Sequence, residues 1–263
     1  MARLTFLGFI QDQYWKVEPV EHVDLTGKTV VVIGANVGLG FEAAKHFASM
    51  NPKRLVLGCR SLDKGQAAVQ ATGFKNAELA LVDLARFSSV SAFADKFIRD
   101  GSQIDILVYN AAVALFKYSA TADGWEETDV HYFAKLSKEE VESDNILQKL
   151  SDERYCTFWV MRNRYYLSKL FNVFFVRELT KRLPANSPIL VNAINPGFCN
   201  MLDTIVEALL ARTTEKGSRQ LVWAAVGGAG REFELRGGYD ESVEVLSRVE
   251  PKFESVLREI LSS

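Results

Sequence analysis

The chain has 263 residues, 48% hydrophobic and 24% charged, enough apolar side chain for one sizeable core and too much for disorder to be the main state. Its formal net charge of −2 leaves no basic excess to neutralise a phosphate backbone, which excludes nucleic acid as a partner on bulk charge. Cys59, Cys156 and Cys199 stand far apart, with neither metal-ligand spacing nor a disulfide framework, as a reducing compartment would allow.

Residues 1–24 read as an N-terminal extension. Its apolar run LTFLGFI is too short for a bilayer, which needs ~20 residues, and lacks the layout of a secretory signal. A soluble, cytoplasmic chain with no integral membrane segment is expected. The run reads as a helix docked on the body, with peripheral membrane contact through Phe6, Phe9 and Ile10 as the alternative.

From residue 29 short apolar runs alternate with amphipathic stretches. TVVVI at 29–33 predicts a buried strand, and 38–50 a helix with Leu39, Ala43, Phe47 and Met50 on one face. RLVLG at 54–58 and ELALV at 78–82 predict further strands, with helices over 63–70 and 88–99. IDILVY at 104–109 is the next strand. This alternation predicts an α/β fold: one domain, residues 1–263, built on a doubly wound parallel sheet with helices on both faces. Between 116 and 160 the rhythm fails; charged strings such as KEEVESD and SDER read as loop and exposed helix. A strong helix follows over 163–183, with Leu167, Leu170, Phe174 and Leu179 at helical spacing and Pro184 ending it. PILVNAIN at 188–195 predicts another buried strand. The rest reads as helix with a glycine-rich break over 227–238.

The turn Gly34-Ala35-Asn36-Val37-Gly38-Leu39-Gly40 joins the first strand to the first helix. Glycines there permit unusual φ and let backbone approach a ligand, while the helix start offers free N–H groups to a pyrophosphate. An ordinary βα turn is the bland alternative. After the second strand, where an acid would bond an adenosine ribose, the chain has Arg60, a fork suited to a 2′-phosphate. That favours NADP over NAD, against the alternative of a solvated loop charge. Asp83 and Asn110 follow the third and fourth strands, at the edge where such sheets bind ligands. Asp83 can accept from an adenine amino group, and Asn110 can hold the cofactor by side chain or backbone; capping and turn formation are the bland readings. Tyr165 and Lys169, four apart on the strong helix, share a face. An ammonium beside a phenol favours its ionised form and equips it to exchange a proton with a carbonyl or alcohol oxygen.

The strings LTGKTVVVIGANVGLGFEAAKHFA, CRSLDKG, LVDL, LVYNAA, RYYLSKLFNVFFVRELTKRL and INPGFC, in this order over most of residues 24–200, resemble the short-chain dehydrogenase/reductase family. Within it the chain is most similar to reductases of fungal secondary metabolism. The resemblance implies a Rossmann fold and a nicotinamide dinucleotide. It implies Tyr165 as proton donor or acceptor, and Lys169 holding the nicotinamide ribose and lowering the tyrosine pKa. Leu39 and Cys199 match positions that meet the cofactor through backbone atoms, beside Gly34, Asn36, Gly38 and Gly40.

The chain also departs from the pattern. Ile33 stands for the usual Thr, and Tyr109 and Ala112 replace the first Asn and the Gly of NNAG. Between Trp125 and Tyr165 the family has a helix carrying an Asn, then a strand ending in a Ser that bonds the substrate oxygen. Here DGWEET runs into DVHYFAK, so one strand and one helix are expected to be missing. Ser151, Ser168 and His131 are weak replacements for the serine. YCTFWVM at 155–161 is apolar enough to serve as a substitute strand or as a core plug. The expected function is an NADP-dependent interconversion of a carbonyl and an alcohol on a small apolar substrate, with Phe158, Trp159, Phe198, Met201 and Leu202 as its wall or, alternatively, as core packing. The alternative is a catalytically impaired relative that binds a dinucleotide or a partner protein. No metal is called for, and the oligomeric state stays open.

Overall fold

The run TVVVI forms strand β1 (Thr29–Ile33), buried at every position, as expected of β-branched residues in the middle of a parallel sheet. The computed structural model describes residues 19–112, 117–124, 139, 142–194, 196, 199 and 211–227, with only the backbone for 162–166 and 168. Two compact units divide the chain, one of residues 2–111 and 194–231, the other of 112–193 and 232–263 with Met1.

In the first unit β1 is followed by α1 (Gly38–Ser49), β2 (Arg54–Cys59), α2 (Leu62–Thr72), β3 (Ala77–Leu81), α3 (Phe87–Arg99) and β4 (Ile106–Tyr109). The strand order is β3-β2-β1-β4, and every pairing is parallel. All four carboxyl ends therefore lie along one edge. Because side chains alternate along a strand, the sheet has two apolar faces. Val30, Val32, Leu55 and Leu57 join Ala43, Ala44 and Phe47 of α1 and Ala68 of α2. Helix α6 (Thr214–Val226) adds Leu221 and Val222 to the same layer. Val31, Ile33, Val56 and Ala80 face the other way, onto Phe97 of α3. Helices thus cover both faces, the doubly wound arrangement expected.

The second unit contains α4 (Ile146–Ser151) and α5 (Phe158–Arg182). Ile146 and Leu150 of α4 close on Leu167 and Phe174 of α5. A stretch read as exposed helix is therefore half core, because two apolar residues four apart are enough for a helix of two turns to find a partner face. Helix α5 begins earlier than its periodicity predicts. Thr157 caps it by accepting from the Val160 N–H, and YCTFWVM supplies the cap and first turn of the helix and no strand. Met161 is buried, while Phe158 and Trp159 are exposed.

The second departure concerns 188–194. That segment has strand composition, yet its described residues carry no strand, and Ile189 is 56% exposed. A strand exists only where a neighbour completes its ladder. Among the described residues no strand pairs with the outer side of β4, and Leu107 and Tyr109 on one of its faces are 55% and 58% exposed. Among the described residues β4 is thus the last strand on that side. No helix among the described residues is long and apolar enough to cross a membrane.

The amino end of the sheet is tied by Asp105. Its carboxylate accepts from the Thr29 N–H at 2.8 Å and from Lys28 Nζ at 3.0 Å. The Thr29 bond, and then Lys28, hold its pKa below the usual carboxylate value, against desolvation. Stability from such a group is present above the unfolded-state pKa of ~3.9 and is lost as pH falls through the depressed folded value. Asp105→Asn should therefore cost about 1.5 kcal/mol at pH 7 and progressively less below about pH 4, as read by urea melts at the two pH values.

Candidate active site

The turn after β1 is shaped by two glycines that side chains could not replace. Gly34 has φ +81°, in the left-handed region, and a Cβ there would meet the Ala111 backbone at 2.6 Å. A Cβ on Gly40 would run into the Gly34 carbonyl and, at 2.6 Å, into Asn110 Nδ2. The first turn of α1 is thereby pressed onto the ends of β1 and β4. Asn110 secures the arrangement, its N–H donating to the Ile33 carbonyl and its side-chain amide to the Gly34 carbonyl, both at 3.1 Å. In this structure the Asn110 side chain works on the turn itself. Asn36 is half-buried in the turn and Val37 is exposed.

Helix α1 starts without a side-chain cap and has no acidic residue in its first turn. By contrast Ser61 caps α2, Thr157 caps α5 and Thr213 caps α6. Uncapped N–H groups at a positive helix end, reached through backbone that glycine keeps bare, are suited to a diphosphate.

Arg60 follows β2, exposed, with no hydrogen bond or ion pair among the described residues. Asp83 lies beyond β3 on the adjacent strand end, since Cys59 pairs with Leu81 and the Val82 N–H donates to the Cys59 carbonyl. Asp83 Oδ1 accepts from the Ala85 N–H at 3.1 Å, and Oδ2 lies 3.5 Å from Arg86 Nε. The Asp83 N–H donates to Ser89 Oγ. Leu39 and Cys199 come together on α6, where a Cβ on Gly217 would meet both the Cys199 thiol and Leu39 Cδ2. Cys199 is buried, its Sγ is 3.5 Å from the Pro196 carbonyl, and burial pushes its pKa up to about 11. A neutral thiol is a poor nucleophile.

The first unit therefore gathers Gly34, Asn36, Gly38, Leu39, Gly40, Arg60, Asp83 and Asn110 along the carboxyl edge of one sheet, with Cys199 against Leu39. Tyr165 and Lys169 belong to the second unit, on α5, one turn apart. Lys169 is half-buried; the Tyr165 side chain lies outside the described residues, as do the Ser168 side chain and all of His131, Phe198, Met201 and Leu202. Ser151 ends α4, and its carbonyl accepts from the Tyr118 hydroxyl. It is not at a strand end. Gly217, Ser89 and Arg86 were missed by sequence reasoning. A signal existed for Gly217, because glycine inside a helix costs ~1 kcal/mol against alanine and calls for a packing reason.

The model of the short chain dehydrogenase family matches residues 28–143. A short chain dehydrogenase/reductase of Cryptosporiopsis sp. is 28% identical, covering 83% of this chain and 83% of its own. The chain belongs to the short-chain dehydrogenase/reductase family. A short-chain dehydrogenase of Penicillium roqueforti is 29% identical over 86% of this chain and 73% of its own. The Cryptosporiopsis alignment runs over 270 positions, more than the 263 residues present here, so that relative carries residues this dehydrogenase lacks. Among solved structures, an L-sorbose reductase of Gluconobacter frateurii, in complex with NADPH and L-sorbose, superposes with a TM-score of 0.55 at 18% identity, covering 82% of this chain and 95% of its own. At that identity the likeness concerns the fold.

Two glycine replacements test the packing. Gly34→Ala should cost roughly 2–4 kcal/mol, from positive φ plus overlap with Ala111. Gly217→Ala should cost roughly 1–2 kcal/mol, as overlap with Leu39 and Cys199 outweighs the gain in helix propensity. Thermal melts beside the parent chain measure both.

Proposed function

We propose that this short-chain dehydrogenase is an NADP-dependent oxidoreductase. It interconverts a carbonyl and an alcohol on a small apolar substrate, within the secondary metabolism that its motifs resemble. The observation that carries the cofactor assignment is Arg60, a guanidinium without a partner among the described residues, standing where an acid would repel a 2′-phosphate. The uncapped start of α1 and the bare backbone of Gly34 and Gly40 fit the diphosphate of the same molecule.

The bound dinucleotide supplies or accepts the hydride. In the reducing direction Tyr165 gives its hydroxyl proton to the substrate oxygen, and in the reverse direction the phenolate takes it back. Lys169, four residues on along α5, favours the phenolate by its positive charge. Phe158 and Trp159, exposed at the start of the same helix with ring centroids 5.5 Å apart, suit an apolar substrate.

A second reading is a dinucleotide-binding protein with little turnover. The lack, among the described residues, of a strand beside β4 favours it, because the resemblance puts the strand that carries the family's serine after β4. Losing one oxyanion-type donor costs ~10²–10³ in rate.

Fluorescence titration with NADPH and NADH tests the assignment. NADPH should bind more tightly, and Arg60→Ala should weaken NADPH about 10–100-fold, one charge-assisted contact, with NADH little changed. Tyr165→Phe should keep NADPH affinity and lower turnover of a carbonyl panel by ~10²–10⁴. Equal affinity for both dinucleotides would overturn the NADP assignment. Turnover undiminished in Tyr165→Phe would remove the proton role, and a parent chain that binds NADPH without reducing any carbonyl would establish the second reading.

A further inference from the structure

The loop after β3 holds an acceptor and a donor side by side. Asp83 is fixed on one side by the Ala85 N–H, which donates to Oδ1, and its own N–H donates to Ser89 Oγ. The Arg86 N–H donates to the Asp83 carbonyl at 3.2 Å, so the two residues close one tight turn. Their side chains meet only at the edge, Arg86 Nε lying 3.5 Å from Asp83 Oδ2. The Arg86 side chain is 63% exposed, and among the described residues its guanidinium has no other hydrogen bond or ion pair. Such an exposed pair is a weak restraint, so the fork can swing while Asp83 stays in place.

Resting on the dinucleotide reading above, we propose that Arg86 reads the adenine base together with Asp83. The exposed edge of adenine presents an amino donor at N6 beside a ring-nitrogen acceptor at N7. A carboxylate alone accepts from any exocyclic amino group, and a guanidinium alone prefers the paired acceptors of guanine. Placed next to each other, Asp83 accepts from N6 while Arg86 donates to the ring nitrogen, and that order of acceptor and donor selects adenine. Arg60 has a different task, because it leaves β2 on the neighbouring strand end and answers to the 2′-phosphate. The two arginines therefore divide the adenosine end, one taking the base and the other its phosphate.

The division of labour is measurable by binding alone. In fluorescence titrations of the full chain, Arg86→Ala should raise Kd about tenfold for NADPH and by the same factor for NADH, since both carry adenine. Arg86→Lys, which keeps a donor, should recover most of the loss. Arg86 is exposed, so the melting temperature without ligand should stay within about 2 °C of the parent. A loss confined to NADPH would move Arg86 to the 2′-phosphate and overturn the base-reading role. Unchanged affinity for both dinucleotides would overturn it too. Failure of the parent chain to bind either dinucleotide would instead remove the dinucleotide reading itself.

Discussion

The close approach of three backbones at Gly34 organises the sheet unit. Its positive φ turns the chain out of β1, and the Ala111 backbone lies where a side chain would go. Asn110 then draws the turn against the end of β4 through the Gly34 carbonyl. Helix α1 can begin only where this junction puts it, with Gly40 packed on the same carbonyl. Its free N–H groups therefore emerge at the carboxyl edge of the sheet. Hydrogen bonding and steric exclusion act together here, so the junction tolerates little change at any of its members.

Around that junction the carboxyl edge is electrostatically uneven. Among the described residues Arg60 has no hydrogen bond or ion pair, and Asp83 is half-satisfied by its own turn and loosely paired with Arg86. At the opposite edge the charges are spent on structure. Asp105 ties the starts of β1 and β4, and Arg54 Nε donates to Glu78 at 2.8 Å while its guanidinium lies over the Phe97 ring. Polar groups satisfied at one edge and available at the other are what a ligand-binding α/β sheet requires.

Among the described residues the sheet ends at β4. β4, half-buried on one face against the α1 layer, shows Leu107 and Tyr109 on the other. The segment 188–194 keeps strand composition without strand geometry among its described residues.

Local chemistry was legible in the residues. Alternating apolar runs determined β1 to β4 and the helices between them, because each needs only its own period and a turn residue to stop it. Glycine spacing marked the turn at Gly34. Wherever a partner distant in sequence decides the outcome, the residues alone were silent. Periodicity could not place Ile146 and Leu150 in a core with Phe174, start α5 at Phe158, or show that 188–194 lacks a ladder. It gave no sign that the Asn110 amide serves Gly34, or that Gly217 leaves room for Leu39 and Cys199. Such contacts join residues far apart in the chain, and the free energy that selects them exists only once the layers have closed.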